Sequence, residues 1–175
     1  MREGAPTRGA TRLEMAILMG LPGAGKSTFF ATRLAATHVH VSMDALGRRG
    51  DRRSRQRAAL AEALAGRRSI AVDNVNATVA ERAELVAVAH AAGARVVGYW
   101  LDAPPRACLG RNARREGDAR VPPVAIFAAN KRFVVPSARE GFDALWRVRA
   151  TGTAEEPTFE LARADPCNQG DAETS

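Results

Sequence analysis

The stretch Gly20-Leu21-Pro22-Gly23-Ala24-Gly25-Lys26-Ser27 fits the pattern G-x-x-x-x-G-K-[ST], and its reading decides the fold. The glycines allow positive φ, so the backbone can curl its N–H groups toward an anion at the start of the next helix. Lys26 supplies a point charge for the outer phosphates of a nucleotide, and the Ser27 hydroxyl is an oxygen ligand for a bridging Mg²⁺. Such a loop needs a buried strand before it and a helix after it. Met15-Ala16-Ile17-Leu18-Met19 is a short apolar run suited to a buried parallel strand, and Ser27 to Ala36 reads as helix.

The same alternation continues outward. His38 to Met43 reads as a second strand with Asp44 at its C-terminal end, and Arg52 to Gly66 as a helix that is basic first and apolar later. Ser69 to Asp73 is an apolar run closed by an acid. Thr78 to Ala92 is an amphipathic helix with a capping box, Thr78 and Glu81, and Ala94 to Leu101 is a fourth strand. Residues 106–120 form a helix and loop crowded with arginine, Val124 to Arg132 a further helix, and Phe142 to Val148 a fifth strand. Strands alternating with helices predict a three-layer α/β fold around a parallel sheet of about five strands. Residues 1–12 read as a disordered lead, 13–150 as the folded domain with a lid around 106–120, and 151–175 as an acidic, mostly disordered tail in which Thr158 to Leu161 is the candidate for order.

At 175 residues and 46% hydrophobic composition the chain suits one domain with one core. No apolar stretch reaches the length of a membrane span, and the N-terminus has no apolar region after its charges, so a cytoplasmic location is expected. Cys108 and Cys167 are too few and too far apart for a disulfide framework. The formal charge is +7, nearly all of it arginine; lysine occurs only at 26 and 131. From Thr151 onward six acids face Arg163 alone, so the basic charge is concentrated in the preceding body. A basic body that binds nucleotide suits a polyanionic partner.

Phosphoryl transfer needs positioned oxygens and neutralised charge. Asp44, at the sheet edge where ligands bind in open α/β folds, is the candidate for accepting a hydroxyl proton; the same position also suits a helix N-cap. Asp73 closes a Walker-B-like run and either holds Mg²⁺ through water or orients Ser27, though an acid at a strand end is also common. Arg111 and Arg115 lie four apart on one helical face, with Arg114 beside them, as lid cations or as a solvated basic face. At helical spacing Arg48, Arg52 and Arg55 form one stripe and Arg49, Arg53 and Arg57 an adjoining one.

In order and spacing, Gly-Leu-Pro-Gly-Ala-Gly-Lys-Ser-Thr-Phe, Val-Ser-Met-Asp-Ala-Leu-Gly and Ile-Ala-Val-Asp-Asn-Val-Asn resemble the kinase domain of polynucleotide 5′-hydroxyl kinases. The resemblance continues through Arg-Asn-Ala-Arg-Arg at 111–115, Val121-Pro122, Lys131-Arg132-Phe133 and Glu140-Gly141-Phe142, spanning roughly residues 15–148. It extends to both the animal kinase/phosphatase and the phage enzyme. It implies a P-loop kinase fold like that of adenylate kinase and transfer of the ATP γ-phosphate to a 5′-hydroxyl end of DNA or RNA, with Mg²⁺. It further implies nucleotide binding by Gly20, Pro22, Gly23, Ala24, Gly25, Lys26, Ser27 and Thr28 and metal binding by Ser27 and Asp73. Asp44 becomes the general base, Arg111 and Arg115 the lid arginines, and Val121 an apolar contact for the acceptor nucleoside. This chain departs from the family pattern at Ser42-Met43, where Asn-Arg is frequent. It departs again at Gly47 and Asp51, where an acceptor-gripping arginine occurs, leaving Arg48 or Arg52 as the substitute. No 3′-phosphatase signature is present. Two other readings stay open at this point: a P-loop small-molecule kinase acting on a sugar, nucleoside or antibiotic, and a nucleotide-binding switch without transfer chemistry.

Overall fold

The computed structural model describes residues 12–43, 50–153 and 156–164. Among them, five α-helices flank one sheet of six strands in the order β2-β3-β1-β4-β5-β6. The strands are β1 (Glu14–Met19), β2 (Val39–Val41), β3 (Ile70–Asp73), β4 (Arg95–Leu101), β5 (Ala144–Ala150) and β6 (Phe159–Arg163). The first five are mutually parallel, as the alternating pattern predicts, and β6 adds an antiparallel edge. That edge strand falls in the segment expected to be mostly disordered. It is held there by Phe159, which is buried and meets Phe29 edge to face at 5.2 Å.

Unbroken apolar runs make the central strands. Met15 to Met19 are fully buried because helices cover both faces of β1. On one face α2 (Arg52–Ala65) and α3 (Val79–Ala91) pack Leu60, Leu64, Leu85 and Ala89 against Met15, Ile17 and Val96. On the other, Phe29, Leu34, Cys108 and Ile126 pack against Ala16, Leu18 and Val148; Cys108 and Ile126 come from α4 (Pro105–Ala113) and α5 (Pro123–Arg132). Cys108 is a free thiol whose burial pushes its pKa up.

The helix ends follow their local chemistry. Asp51 caps α2 by accepting the N–H groups of Arg53 and Ser54, and Thr78 and Glu81 form the expected capping box on α3. Because α2 starts only at Arg52, helical spacing places the arginines relative to one another from 52 onward; Arg48 and Arg49 lie outside the described residues. The helix expected from Ser27 to Ala36 is divided. It comprises α1 (Lys26–Phe29) followed by a π-helical turn, Phe30–Leu34, in which Ala35 donates to the Phe30 carbonyl and the Thr32 hydroxyl bonds back to Thr28 and Phe29. β5 starts two residues later than expected; just before it Asp143 is tied to Val96 both by its backbone N–H, which donates to the Val96 carbonyl, and by its carboxylate, which accepts the Val96 N–H.

Candidate phosphoryl-transfer site

The chain enters and leaves the site at the C-terminal ends of β1 and β3, where the sheet order switches sides about β1. The loop at 20–25 lies against the backbone on two sides, and only glycine fits there. A Cβ at Gly20 would lie 2.8 Å from the Leu101 carbonyl, and one at Gly23 would lie 2.6 Å from the Cys108 carbonyl; both residues have positive φ. The loop is pinned by the Gly20 N–H, which donates to the Val75 carbonyl. Arg111 reaches in from α4 to the Gly23 and Ala24 carbonyls at 3.3 and 3.4 Å.

Lys26 Nζ donates to the Gly20 and Leu21 carbonyls at 2.8 and 3.0 Å, so its charge is carried over the loop itself. The Ser27 hydroxyl donates to Asp73 Oδ2 at 2.7 Å. His40 Nε2 meets the same oxygen at 3.0 Å, and its ring stacks on Phe30 of the π-turn with centroids 4.2 Å apart. Burial pushes the Asp73 carboxyl up, but hydrogen bonds from His40 and Ser27 and the Lys26 charge outweigh it and hold the carboxyl below the ordinary aspartate range. Among the described residues no group of three or more His, Cys, Asp or Glu could hold a metal ion. The donor set that is present, one hydroxyl beside one anionic carboxylate, fits Mg²⁺. That ion takes one or two protein oxygens and fills its shell with water and phosphate oxygens.

A cleft of about 1670 Å³ opens from this loop. Pro22, Gly23, Gly25, Lys26, Ser27 and Asp73 line its donor end. Arg52, Arg53 and Arg57 of α2 line another wall, Arg115, Arg120 and Val121 come from the segment between α4 and α5, and Arg132 from α5. The cleft-facing set on α2 is therefore 52, 53 and 57, without Arg55, in place of two separate stripes. Ala24 is buried beneath the loop and Thr28 is exposed beyond it. Arg111 and Arg115 are not brought together over the cleft: Arg111 holds the loop from outside, whereas Arg115 lines the cleft and donates to the Ala119 carbonyl at 3.4 Å. Asp44 and Arg48 lie outside the described residues. Their neighbour Met43 is described, and its N–H is held by the Asn74 side chain at 2.9 Å.

Several supporting residues escape a reading of the sequence alone. Asn112, 2% exposed, clasps the backbone of Val121 with both ends of its amide, at 2.7 and 2.9 Å, and so closes the arginine-bearing loop into a ring. Asn76 donates to the Leu18 carbonyl at 2.6 Å. Arg82 is fully buried, pairs with Glu140 through two contacts at 2.6 and 2.9 Å, and donates to the carbonyls of Asn76, Ala77 and Val134. Asn74, Asn76, Asn112 and Glu140 lie inside the motifs that carry the family resemblance; Arg82 and His40 carry no such signal.

Residues 15–136 match the AAA_33 family, described as AAA domain. The chain belongs to this family. Solved structures share its fold at low identity. A gluconokinase from Sinorhizobium meliloti 1021 is 20% identical with a TM-score of 0.57, the alignment covering 80% of this chain and 84% of that one. A chain of the Pnkp1/Rnl/Hen1 RNA repair complex is 18% identical with a TM-score of 0.61, covering 95% of this chain and 53% of that one. A fungal RNA kinase is 12% identical with a TM-score of 0.61, covering 83% and 40%. The chain thus has a P-loop kinase-like fold. No helix among the described residues is long and apolar enough to cross a membrane.

Proposed function

We propose that this protein is an ATP-dependent polynucleotide 5′-hydroxyl kinase that transfers the γ-phosphate to a 5′-hydroxyl end of DNA or RNA. The observation that carries this reading is the arginine lining of one continuous cleft, Arg52, Arg53 and Arg57 on α2 facing Arg115 and Arg120 of the lid, with the phosphate loop at its other end. A cleft so lined fits an acceptor that carries several phosphates. The motif resemblance and the RNA kinases among the structural neighbours support the same acceptor class.

In this reading the loop amides at 20–25, Lys26 and Thr28 bind the donor phosphates, and Ser27 and Asp73 would hold Mg²⁺. When bound, that ion would neutralise charge on the transferred group. Asp73 stays ionised because His40 and Ser27 stabilise its anion. Arg115 adds a cation from the lid, and Arg111 keeps the loop in shape. Asp44, following the backbone that Asn74 fixes, takes the proton from the 5′-hydroxyl as its oxygen attacks the γ-phosphorus and the bond to ADP breaks. Val121 packs against the acceptor nucleoside, and Arg48 or Arg52 grips its phosphate.

A second reading, a kinase for a small polyol or nucleoside, is favoured by one feature. Asp51, where relatives carry an acceptor-gripping arginine, is spent as the cap of α2. An acceptor screen with labelled ATP separates the two. The polynucleotide reading predicts labelling of 5′-hydroxyl oligonucleotides, with affinity falling by about 0.7 log units per neutralised phosphate for each tenfold rise in salt. Labelling of gluconate, sugars or nucleosides alone, with no such salt dependence, contradicts it.

A further inference from the structure

One polar side chain in the cleft wall is nearly buried and has no side-chain hydrogen-bond partner among the described residues. Gln56 is 6% exposed and lines the cleft, and its carboxamide makes no hydrogen bond to any described residue. Its amide atoms are not sealed from solvent, so the carboxamide opens on the cleft and is available to a ligand there. Helical spacing places it centrally on the cleft face of α2, with Arg52 and Arg53 one turn before it, Arg57 beside it and Leu60 one turn after it. The arginines suit phosphate oxygens. A carboxamide carries no charge and offers both an acceptor oxygen and two N–H donors, so it suits a neutral group that also donates and accepts.

We infer that Gln56 is an acceptor-recognition residue whose carboxamide hydrogen-bonds a neutral hydroxyl or base edge of the acceptor strand while the flanking arginines hold its phosphates. This assignment rests on the polynucleotide reading above. Two groups share the required chemistry, a ribose 2′-hydroxyl and a nucleobase edge. ATP carries both groups as well, so the KM for ATP is the control that separates recognition of the acceptor from recognition of the donor.

The test is steady-state kinetics and thermal unfolding of the full chain and of Gln56→Leu, with matched 5′-hydroxyl oligoribonucleotides and oligodeoxynucleotides. The substitution raises acceptor KM about tenfold, the effect of losing one hydrogen bond to a buried group, and leaves the KM for ATP unchanged. It leaves Tm unchanged, because a leucine of similar size fills the same place in the wall and no side-chain hydrogen bond to a described residue is lost. A KM increase confined to the ribo-oligonucleotide assigns the 2′-hydroxyl; an equal increase on both strands assigns the base edge. Unchanged acceptor KM, a parallel rise in the KM for ATP, or a lowered Tm with both KM values altered overturns the assignment. A wild-type protein that labels no oligonucleotide contradicts the proposed function and takes this assignment with it.

Discussion

The two ends of the cleft are built on different principles. The donor end is crowded with internal bonds: the loop glycines touch the backbone of Leu101 and Cys108, Arg111 and Lys26 hold loop carbonyls, and Ser27 and His40 converge on one oxygen of Asp73. The other end, where the proposed function puts the acceptor, is lined by Arg52, Arg53, Gln56 and Arg57 on one face of α2, together with Glu81, Glu84 and Arg132, and among the described residues no hydrogen bond joins the side chains of that α2 face to one another. A phosphate chain has the same shape in every donor nucleotide, so a rigid, preorganised loop serves it. In the proposed function an acceptor strand would arrive by charge and then be sorted by hydrogen bonds such as the one assigned to Gln56. Substitutions at the donor end should therefore affect kcat, and substitutions along the arginine wall should affect acceptor KM.

The largest break in that contrast is Lys26→Ala, which should lower kcat by about 10³-fold, the scale of removing one preorganised electrostatic interaction, with little change in acceptor affinity. Rapid-quench kinetics measure it. A variant that loses acceptor affinity and keeps kcat would merge the two ends into one function.

Next in size is Arg82→Met, which removes the buried partner of Glu140 and frees the carbonyls of Asn76, Ala77 and Val134. Stability should fall by about 3–5 kcal/mol, read from urea unfolding. This strut ties the loop after β3 to the chain leading into β5, so both ends of the cleft should weaken together.

Arg53→Ala with Arg57→Ala sharpens the acceptor side. Acceptor affinity should fall about tenfold or more at low salt, and the slope of log K against log salt should become shallower by about 0.7 for each phosphate that is no longer neutralised. The KM for ATP should not move. An unchanged slope would make these arginines solvated surface.

The smallest effect is on pH dependence. His38 is the main cause holding Glu14 below its ordinary range, and burial of Asp73 is outweighed by His40 and Ser27. Both folded pKa values are depressed, so both carboxylates contribute stability that is complete above the unfolded value near pH 4 and is lost as pH falls through the lower folded values. Acid unfolding should be weakened in Glu14→Gln, with little difference from wild type at neutral pH beyond the loss of that contribution.

What the sequence discloses follows the same division. The phosphate loop, its flanking strand, the capping box at Thr78 and the alternation that builds five parallel strands are written within short windows, where spacing fixes geometry. The pairing of Arg82 with Glu140 spans 58 residues, and the meeting of His40 with Asp73 requires β2 to lie beside β3, which periodicity does not state. Gln56 is hidden for another reason: its facing depends on α2 starting at Arg52, and that start is set by the cap at Asp51 rather than by the arginine run. β6 escapes a full reading because its one deeply buried residue, Phe159, gains its partner Phe29 only in the folded sheet.

The most direct test of the central claim is transfer of labelled γ-phosphate from ATP to a 5′-hydroxyl oligonucleotide by wild-type protein and by Asp44→Asn. The account predicts a labelled 5′ end with wild type and a loss of at least about 10²-fold in kcat with Asp44→Asn, since a positioned general base contributes on that scale. Labelling at the wild-type rate by Asp44→Asn, or labelling of a small polyol in place of the oligonucleotide by wild type, would contradict it.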